Sequence, residues 1–296
     1  MLIAVSAICF VLLSSAGGDA FTALRENPQI SDATIEQLRA SYGLDRPVAV
    51  RYIAWLGSFL TGDLGESIYF KVPVAGLVLS RLFYTIALGA AAVAFAWSFA
   101  VLLSFLSVRF NSRAFNKAVE AIILITASVP RIALSLFALA LIVWLSQSAA
   151  AIRQGSITSF ILSSLVLSVP LIALFLAQAD TSLRSAMEED FVKLARSKGL
   201  SENSLILRPA SRAALDPLIS LLGLSIGSII GGTVIVETIL GWPGIGALTI
   251  TSVRARDVPI VMGIVVISTL AVWLGNAIAE VLQMLNDARL REDSIS

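Results

Sequence analysis

Residues Leu82–Val108, LFYTIALGAAAVAFAWSFAVLLSFLSV, decide the fold class of this chain. The run contains no charged residue and is bounded by Arg81 and Arg109. It exceeds the roughly 20 apolar residues that an α-helix needs to cross a bilayer. The sequence therefore predicts a membrane-spanning helix here, with a basic residue at each end.

Further apolar runs follow the same rule and predict an all-α, polytopic membrane protein. Arg131 is the one charge in the second long run, and we expect a kink at the preceding Ser128-Val-Pro130. The segment at the N-terminus is short, but we interpret 1–16 as a first span rather than a cleaved signal peptide. The predicted total is six transmembrane helices, the other runs being Ala121–Ile152, Gln154–Ala179, Pro217–Val236 and Val258–Ala279.

Composition excludes several classes of function. The chain has 296 residues, of which 57% are apolar and 14% charged, and a net charge of +1, which gives no basic field for nucleic acid. It has no histidine and a single cysteine, Cys9, so His-based catalysis and Cys-rich zinc sites are excluded. No P-loop motif occurs, and the chain is not expected to bind ATP or any other cofactor itself.

The polar segment 17–75 is too hydrophilic to cross a membrane and predicts an extracytoplasmic insertion between the first two spans. Within it we expect short helices over Ser31–Ser41 and Val48–Leu60, and a tight turn at Gly62 and Gly65. The apolar face of the second helix is expected to lie on the membrane surface, with Trp55 at the level of the lipid headgroups. The core, with the other five transmembrane helices and the loop 180–216, then occupies 76–296.

Charge distribution favours an orientation with both termini in the cytoplasm. With six spans, the loops 109–120 and 180–216 and the C-terminal tail lie on one side, and they carry more Lys and Arg than the short loops opposite. We therefore expect a multi-pass protein of the inner (plasma) membrane.

The cytoplasmic loop 180–216 carries a strong helix pattern. Ser185 and Glu188 fit a capping box, and Gly199 stands where a left-handed C-terminal cap is wanted, so a helix over 186–198 is predicted. Two interpretations of its amphipathic stripe stay open: it lies against its own bundle or the lipid, or it docks into a groove of a separate protein. The stripe comprises Met187, Phe191, Leu194 and Ala195.

These residues resemble the EAA loop of ABC-importer permeases, in particular the B-type subunit of the dipeptide/oligopeptide/nickel family. The stretch Phe191–Leu200 carries the resemblance, with Ile206, Leu207, Arg208, Arg212, Leu215 and Pro217 after it. Three more stretches agree in the right order, so the match covers nearly the whole chain. They are 44–67 in the insertion, Gly231–Gly246 before the last span, and Asn276, Glu280 and Leu285–Arg289 at the C-terminus.

The resemblance implies that the short helix is a coupling helix held in a cleft of an ATPase subunit. The implied partners are two ATPase subunits or one fused pair, which use ATP and Mg, a second homologous permease, an extracytoplasmic solute-binding protein and the lipid bilayer. Closure of the ATPases would switch the permeases between inward-facing and outward-facing states. The coupling role is carried over to Glu189, Asp190, Phe191, Ala195 and Gly199.

After Gly199, Ser201 is expected to cap a second helix of the loop. The chain departs from the family pattern at Pro209, which is expected to break this second helix about two turns in.

Arg131 also departs from the family pattern, since the family has a small or polar residue there. Arg131 either lines the pathway and pairs with a substrate carboxylate, or forms an internal ion pair with Glu120, Asp216 or Glu237. Glu237 itself is expected to hold the following turn through backbone hydrogen bonds, with a pathway role as the alternative.

The predicted function is thus a permease subunit without enzymatic activity, for di- or oligopeptides. The alternatives are a nickel or chelate importer of the same family, an ion-coupled secondary transporter, and, as a remote third, a membrane-embedded enzyme. A secondary transporter typically shows inverted repeats, and no convincing internal repeat is seen.

Overall fold

The computed structural model describes residues 2–15, 18–22, 31–146 and 154–286. Within these ranges the chain is helical, and its only β-type contact is an isolated bridge between Glu66 and Pro73. The helices are α1 Leu2–Ser15, α2 Asp32–Ser41, α3 Val48–Leu60, α4 Val74–Phe110, α5 Arg113–Ser128, α6 Arg131–Ser146, α7 Ile157–Glu188, α8 Asp190–Ser197, α9 Glu202–Leu205, α10 Ser211–Leu240, α11 Ile245–Arg254 and α12 Val258–Asn286. A π-helical turn, Ile206–Ala210, joins α9 to α10.

Three of the predicted runs form helices that are long and apolar enough to cross a bilayer: α4, α7 and α12. Two more candidates are bent, so up to five described spans result if each bent pair counts as one. Helix α1 has 14 residues, about 21 Å at roughly 1.5 Å per residue, against a hydrocarbon core of about 30 Å. An all-helical membrane protein is thus confirmed, whereas the sixth span stays a prediction.

The expected kink at Pro130 is a break. Helices α5 and α6 meet at an angle of 93°, with Val129 in an extended conformation between them. Pro130 cannot donate a backbone hydrogen bond, and it disfavours helical backbone at the preceding residue. Helix α10 bends by 44° between Pro217–Gly223 and Ser225–Leu240.

The chain divides into two compact units, one formed by 1–84 and 243–271 and the other by 85–242 and 272–296. In the first unit, Val74 and Val78 of α4 pack with Ile260 of α12. In the second unit the core is built around α7, whose Leu167, Phe175 and Leu176 are almost fully buried.

The predicted helices of the insertion are confirmed, since Ser31 caps α2 and α3 occupies the expected Val48–Leu60. Both turn glycines have positive φ, 85° at Gly62 and 77° at Gly65. Trp55 does not stand free, because its ring stacks on Tyr52 and Phe59 and lies 6.5 Å from the ring of Phe10 in α1. The large apolar side chains of α3 that are exposed are Val50, Ile53 and Leu60.

A buried carboxylate fastens the turn after α3 to the start of α12. Asp257 Oδ2 accepts hydrogen bonds from Ser67 Oγ at 2.5 Å and from the backbone N–H of Tyr69 at 2.9 Å. Its Oδ1 lies 3.3 Å from the backbone nitrogen of Ile260 in the first turn of α12. Asp257 and Ser67 are both fully buried, so these hydrogen bonds are shielded from water.

Candidate functional site

The predicted coupling helix begins later than expected. Helix α7 continues through Ser185 to Glu188, and α8 runs from Asp190 to Ser197, so the predicted bounds 186–198 and the cap at Ser185 are wrong. Backbone groups of α7 satisfy the N–H groups at 185–188, and no capping side chain is needed there. Glu189, with φ −67° and ψ 148°, forms an extended hinge of one residue between the two helices.

One buried valine fixes the orientation of α8. Val192 is 0% exposed and packs in an apolar cluster with Leu183 of α7, Leu205 of α9 and residues of the π turn. This burial turns the opposite face of α8 outward, and Phe191 is 45% and Leu194 57% exposed.

The four residues of the predicted stripe do not share one surface. Met187 lies in α7, and both Met187 and Ala195 are partly buried against the apolar cluster of Val192. Phe191 and Leu194 are therefore the two large apolar side chains that α8 presents to its surroundings. Glu189 and Asp190 are exposed beside them at the N-terminal end of the helix.

The C-terminal end of α8 agrees with the sequence prediction. Gly199 has φ +83°, and the backbone N–H of Leu200 bonds to the carbonyl of Ala195 at 3.4 Å. Arg196 donates two hydrogen bonds to the carboxylate of Glu202 in α9, from Nε to Oε1 at 3.0 Å and from Nη2 to Oε2 at 3.2 Å. Ser201 caps α9 as predicted, since its side chain accepts from the backbone nitrogen of Ser204.

Pro209 does not break the second helix of the loop. It lies in the π-helical turn Ile206–Ala210, and the chain continues directly into α10. The widened turn accommodates the proline ring and its missing backbone donor, so the helix continues. The expectation of a break was wrong because it assumed α-helical geometry at this point.

Gly199→Ala tests the left-handed turn. The space around this glycine is open, with no atom within 4 Å of the position that a Cβ would take, so the cost is conformational. We expect a destabilisation of about 1 kcal/mol, from the strain of a non-glycine residue at positive φ. Thermal unfolding in detergent measures it, and Gly57→Ala in α3, where an added Cβ also meets no atom within 4 Å, is the control with ordinary helical backbone.

Arg131 lies at the first turn of α6 and reaches across to α10. Its Nη2 donates to Ser228 Oγ at 3.1 Å, and its guanidinium covers Gly232, where a Cβ would lie 2.5 Å from Nη1. Within the described ranges Arg131 forms no ion pair, so the predicted pairs with Glu120 and Glu237 do not form. The side chain of Asp216 lies outside the described residues.

Glu237 is fully buried in the second unit. Its Oε1 accepts a hydrogen bond of 2.6 Å from the hydroxyl of Thr85 in α4. Its backbone carbonyl accepts from the N–H of Trp242 at 3.0 Å, across Gly241 with φ +69°. The backbone carbonyl of Glu237 therefore helps to close the turn after α10, and a role of its carboxylate in that turn stays a prediction.

Sequence reasoning missed two residues that position these groups: Val192 and Thr85. A single valine in an amphipathic helix carries no distinct signal, and Thr85 lies 152 positions from Glu237. No group of three or more potential metal ligands is found in the described part of the chain.

Comparisons with known proteins agree on one family. Residues 99–292 match the family described as binding-protein-dependent transport system inner membrane component. The chain is 33% identical to the oligopeptide transport system permease protein AppB of Bacillus subtilis, over 98% of this chain and 95% of the relative. A putative peptide permease protein of Brucella suis is 31% identical, with the same coverage of 98% and 95%. The glutathione transport system permease protein GsiC of Shigella flexneri is 28% identical over 94% of this chain and 90% of the relative.

Proposed function

The chain belongs to the binding-protein-dependent transport system inner membrane components, and from this we propose that it forms half of the translocation pathway of an ABC importer for di- or oligopeptides. It is a permease subunit and not an enzyme. Similarity to oligopeptide and peptide permeases along almost the whole chain supports the cargo class. The similarity to a glutathione permease fits the same class, since glutathione is itself a small peptide.

The exposed pair Phe191 and Leu194 is the single observation that carries a coupling role for α8. A helix of eight residues gains little stability by itself, and this one is held in place by Val192 on its inner side. Two large apolar side chains facing away from the bundle are suited to a hydrophobic groove on a partner. We propose that this groove belongs to an ATPase subunit and that Glu189, Asp190, Ala195 and Gly199 complete the coupling segment.

The proposed assembly contains this chain, a second homologous permease, two ATPase subunits or a fused pair, and a solute-binding protein. In the topology predicted from the sequence, with six spans and both termini in the cytoplasm, α8 lies on the side of the ATPases. In the same predicted topology the insertion lies on the opposite side, where the binding protein delivers its cargo. The basic residues of the loops around α5 and α8 support this orientation.

Cross-linking tests the position of α8 in the assembly. Phe191→Cys in a Cys9→Ser background is expected to cross-link to the ATPase subunit in membranes from cells that express the whole system. Phe83→Cys in α4 is the control, because Phe83 is 70% exposed on an apolar transmembrane helix. Labelling of both cysteines by a thiol reagent without any ATPase adduct at position 191 would contradict the proposal.

We further propose that Arg131 lies in the pathway and pairs with the carboxylate at the C-terminus of a peptide. Glu237, which is buried in α10, would then have a structural role. Arg131 lacks an acidic partner among the described residues, and its guanidinium is held against α10 by one hydroxyl contact. Arg131→Gln is expected to raise the KM for peptide uptake about tenfold, the scale of one lost charge-assisted hydrogen bond.

Uptake by vesicles checks this, with peptides that carry either a free C-terminus or a C-terminal amide. The amide is expected to be insensitive to the substitution, and Arg131→Lys is expected to preserve much of the discrimination. An equal effect on both peptides would remove Arg131 from substrate binding.

A further inference from the structure

A polar cluster lies where α4, α5 and α7 meet, one turn before the hinge at Glu189. It is called the polar joint here and consists of Ser107, Asn116, Asp180 and Arg184. Arg184 donates from Nε to Asp180 Oδ2 at 2.8 Å and from Nη2 to Asn116 Oδ1 at 3.1 Å. The same Nη2 also contacts Ser107 Oγ, which is fully buried and lies 3.2 Å from Asn116 Oδ1. One guanidinium thus connects three helices.

The apolar packing of α4 beside the polar joint is loose, so the hydrogen bonds of the polar joint contribute much of the contact between α4 and α7 there. A cavity of about 470 Å³ lies between α4, α7 and the segment from the π turn to α10, and Phe105, Leu183 and Ile206 are among its lining residues. Apolar contact between α4 and the start of α10 is therefore incomplete at this level. A second polar contact of α4 lies outside the polar joint: Arg109 Nε donates a hydrogen bond of 2.6 Å to Asn203 Oδ1 in α9.

The polar joint is not fully satisfied. Asp180 Oδ1 is buried and has no hydrogen-bond partner among the described residues. A buried oxygen without a donor costs free energy in a static contact. An exchange of partners between two conformations would satisfy this oxygen in the other conformation.

From these contacts we propose that Arg184 is a positioning residue that locks the C-terminal end of α7, against which α8 packs, to the corner between α4 and α5, so that a displacement of α8 is transmitted through α7 to both helices. This inference rests on the proposed coupling function of α8. Arginine suits the task because its planar fork holds several acceptors in fixed directions, whereas lysine is a point charge on a flexible stem.

The test compares Arg184→Gln and Arg184→Lys with the unsubstituted permease in the full complex, reconstituted in vesicles. Peptide uptake and ATP hydrolysis are measured together. We expect Arg184→Gln to retain the ATPase subunits and hydrolyse ATP, while the peptide transported per ATP falls about tenfold, the scale of a typical coupling between sites. Arg184→Lys is expected to recover part of the loss, and Arg109→Gln, which removes the exposed contact to Asn203, is expected to lose less.

Asn116→Ala provides a second route, because it removes one acceptor and leaves Arg184 in place. We expect an intermediate loss of transport per ATP at an unchanged melting temperature, which a merely structural role would not produce. Unchanged transport per ATP in both Arg184→Gln and Asn116→Ala would overturn the assignment. An unsubstituted complex without ATP-dependent peptide uptake would instead contradict the proposed function, so the two failures are distinguishable.

Discussion

Replacing Phe191 and Leu194 together by Asp is expected to abolish capture of the ATPase subunits and, with it, ATP-driven uptake. Each side chain is already about half buried within the chain, so burying the rest in the partner contributes about half of the 1.5–3 kcal/mol of a full burial. Loss of both corresponds to an association that is weaker by roughly tenfold to a hundredfold, since about 1.4 kcal/mol is a factor of ten. Placing two carboxylates in an apolar groove adds a desolvation cost.

The same double substitution is expected to leave the permease itself folded. Both side chains are about half exposed in the isolated chain, at 45% and 57%, so little of its own packing is lost. Val192 stays in its cluster and continues to hold α8 against α7 and α9. The effect is therefore expected in assembly and transport, not in the yield of membrane-inserted protein.

Affinity purification of the tagged permease in mild detergent measures the association, with the amount of co-purified ATPase as the readout. Lys193→Ala is the matched control, because Lys193 lies on the same helix and forms only an exposed ion pair with Asp190 at 2.9 Å. Full retention of the ATPase by the double variant would place the contact surface elsewhere on the chain.

Local signals explain why much of the fold could be predicted. Ser31 before α2 and Pro47 before α3 fix where those helices begin, and the glycines at 62 and 65 have the positive φ values that their turn requires. Hydropathy alone identifies α4, α7 and α12 as helices able to cross a bilayer. Each of these inferences depends on residues close together in the chain.

The candidate site was predicted less completely because tertiary packing decides its details. Ser185 and Glu188 fit a capping box, but burial of Val192 and the continuity of α7 move the break to Glu189. The pairing of Arg131 was left open, and its hydroxyl partner Ser228 lies 97 positions away. A proline predicts that a helix is disturbed, but its neighbours decide between the 93° break after α5 and the smooth π turn at Pro209.

Asp257→Ala is expected to release the turn Gly62–Pro73 from α12. The substitution removes the acceptor for the hydroxyl of Ser67 and for the backbone N–H groups of Tyr69 and Ile260. Each buried donor left without a partner costs about 1–3 kcal/mol. The loss is therefore of the order of several kcal/mol, a large fraction of the stability of a typical domain. The first unit would retain its apolar cluster of Val74, Val78 and Ile260 while the turn opens locally.

Limited trypsin digestion in detergent measures this opening, because Lys71 lies in the affected turn and is exposed. Cleavage after Lys71 is expected to accelerate strongly in Asp257→Ala and less in Asp257→Asn, whose amide oxygen can still accept from Ser67 or Tyr69. Glu66→Gln, an exposed change in the same turn, is the control and is expected to match the unsubstituted protein. Equal cleavage of all variants would show that the buried carboxylate does not hold the turn. A cleavage rate that falls from Asp257→Ala to Asp257→Asn to the unsubstituted protein would show that the side-chain oxygens of residue 257 hold the turn, since Asp257→Asn changes the charge but barely the volume.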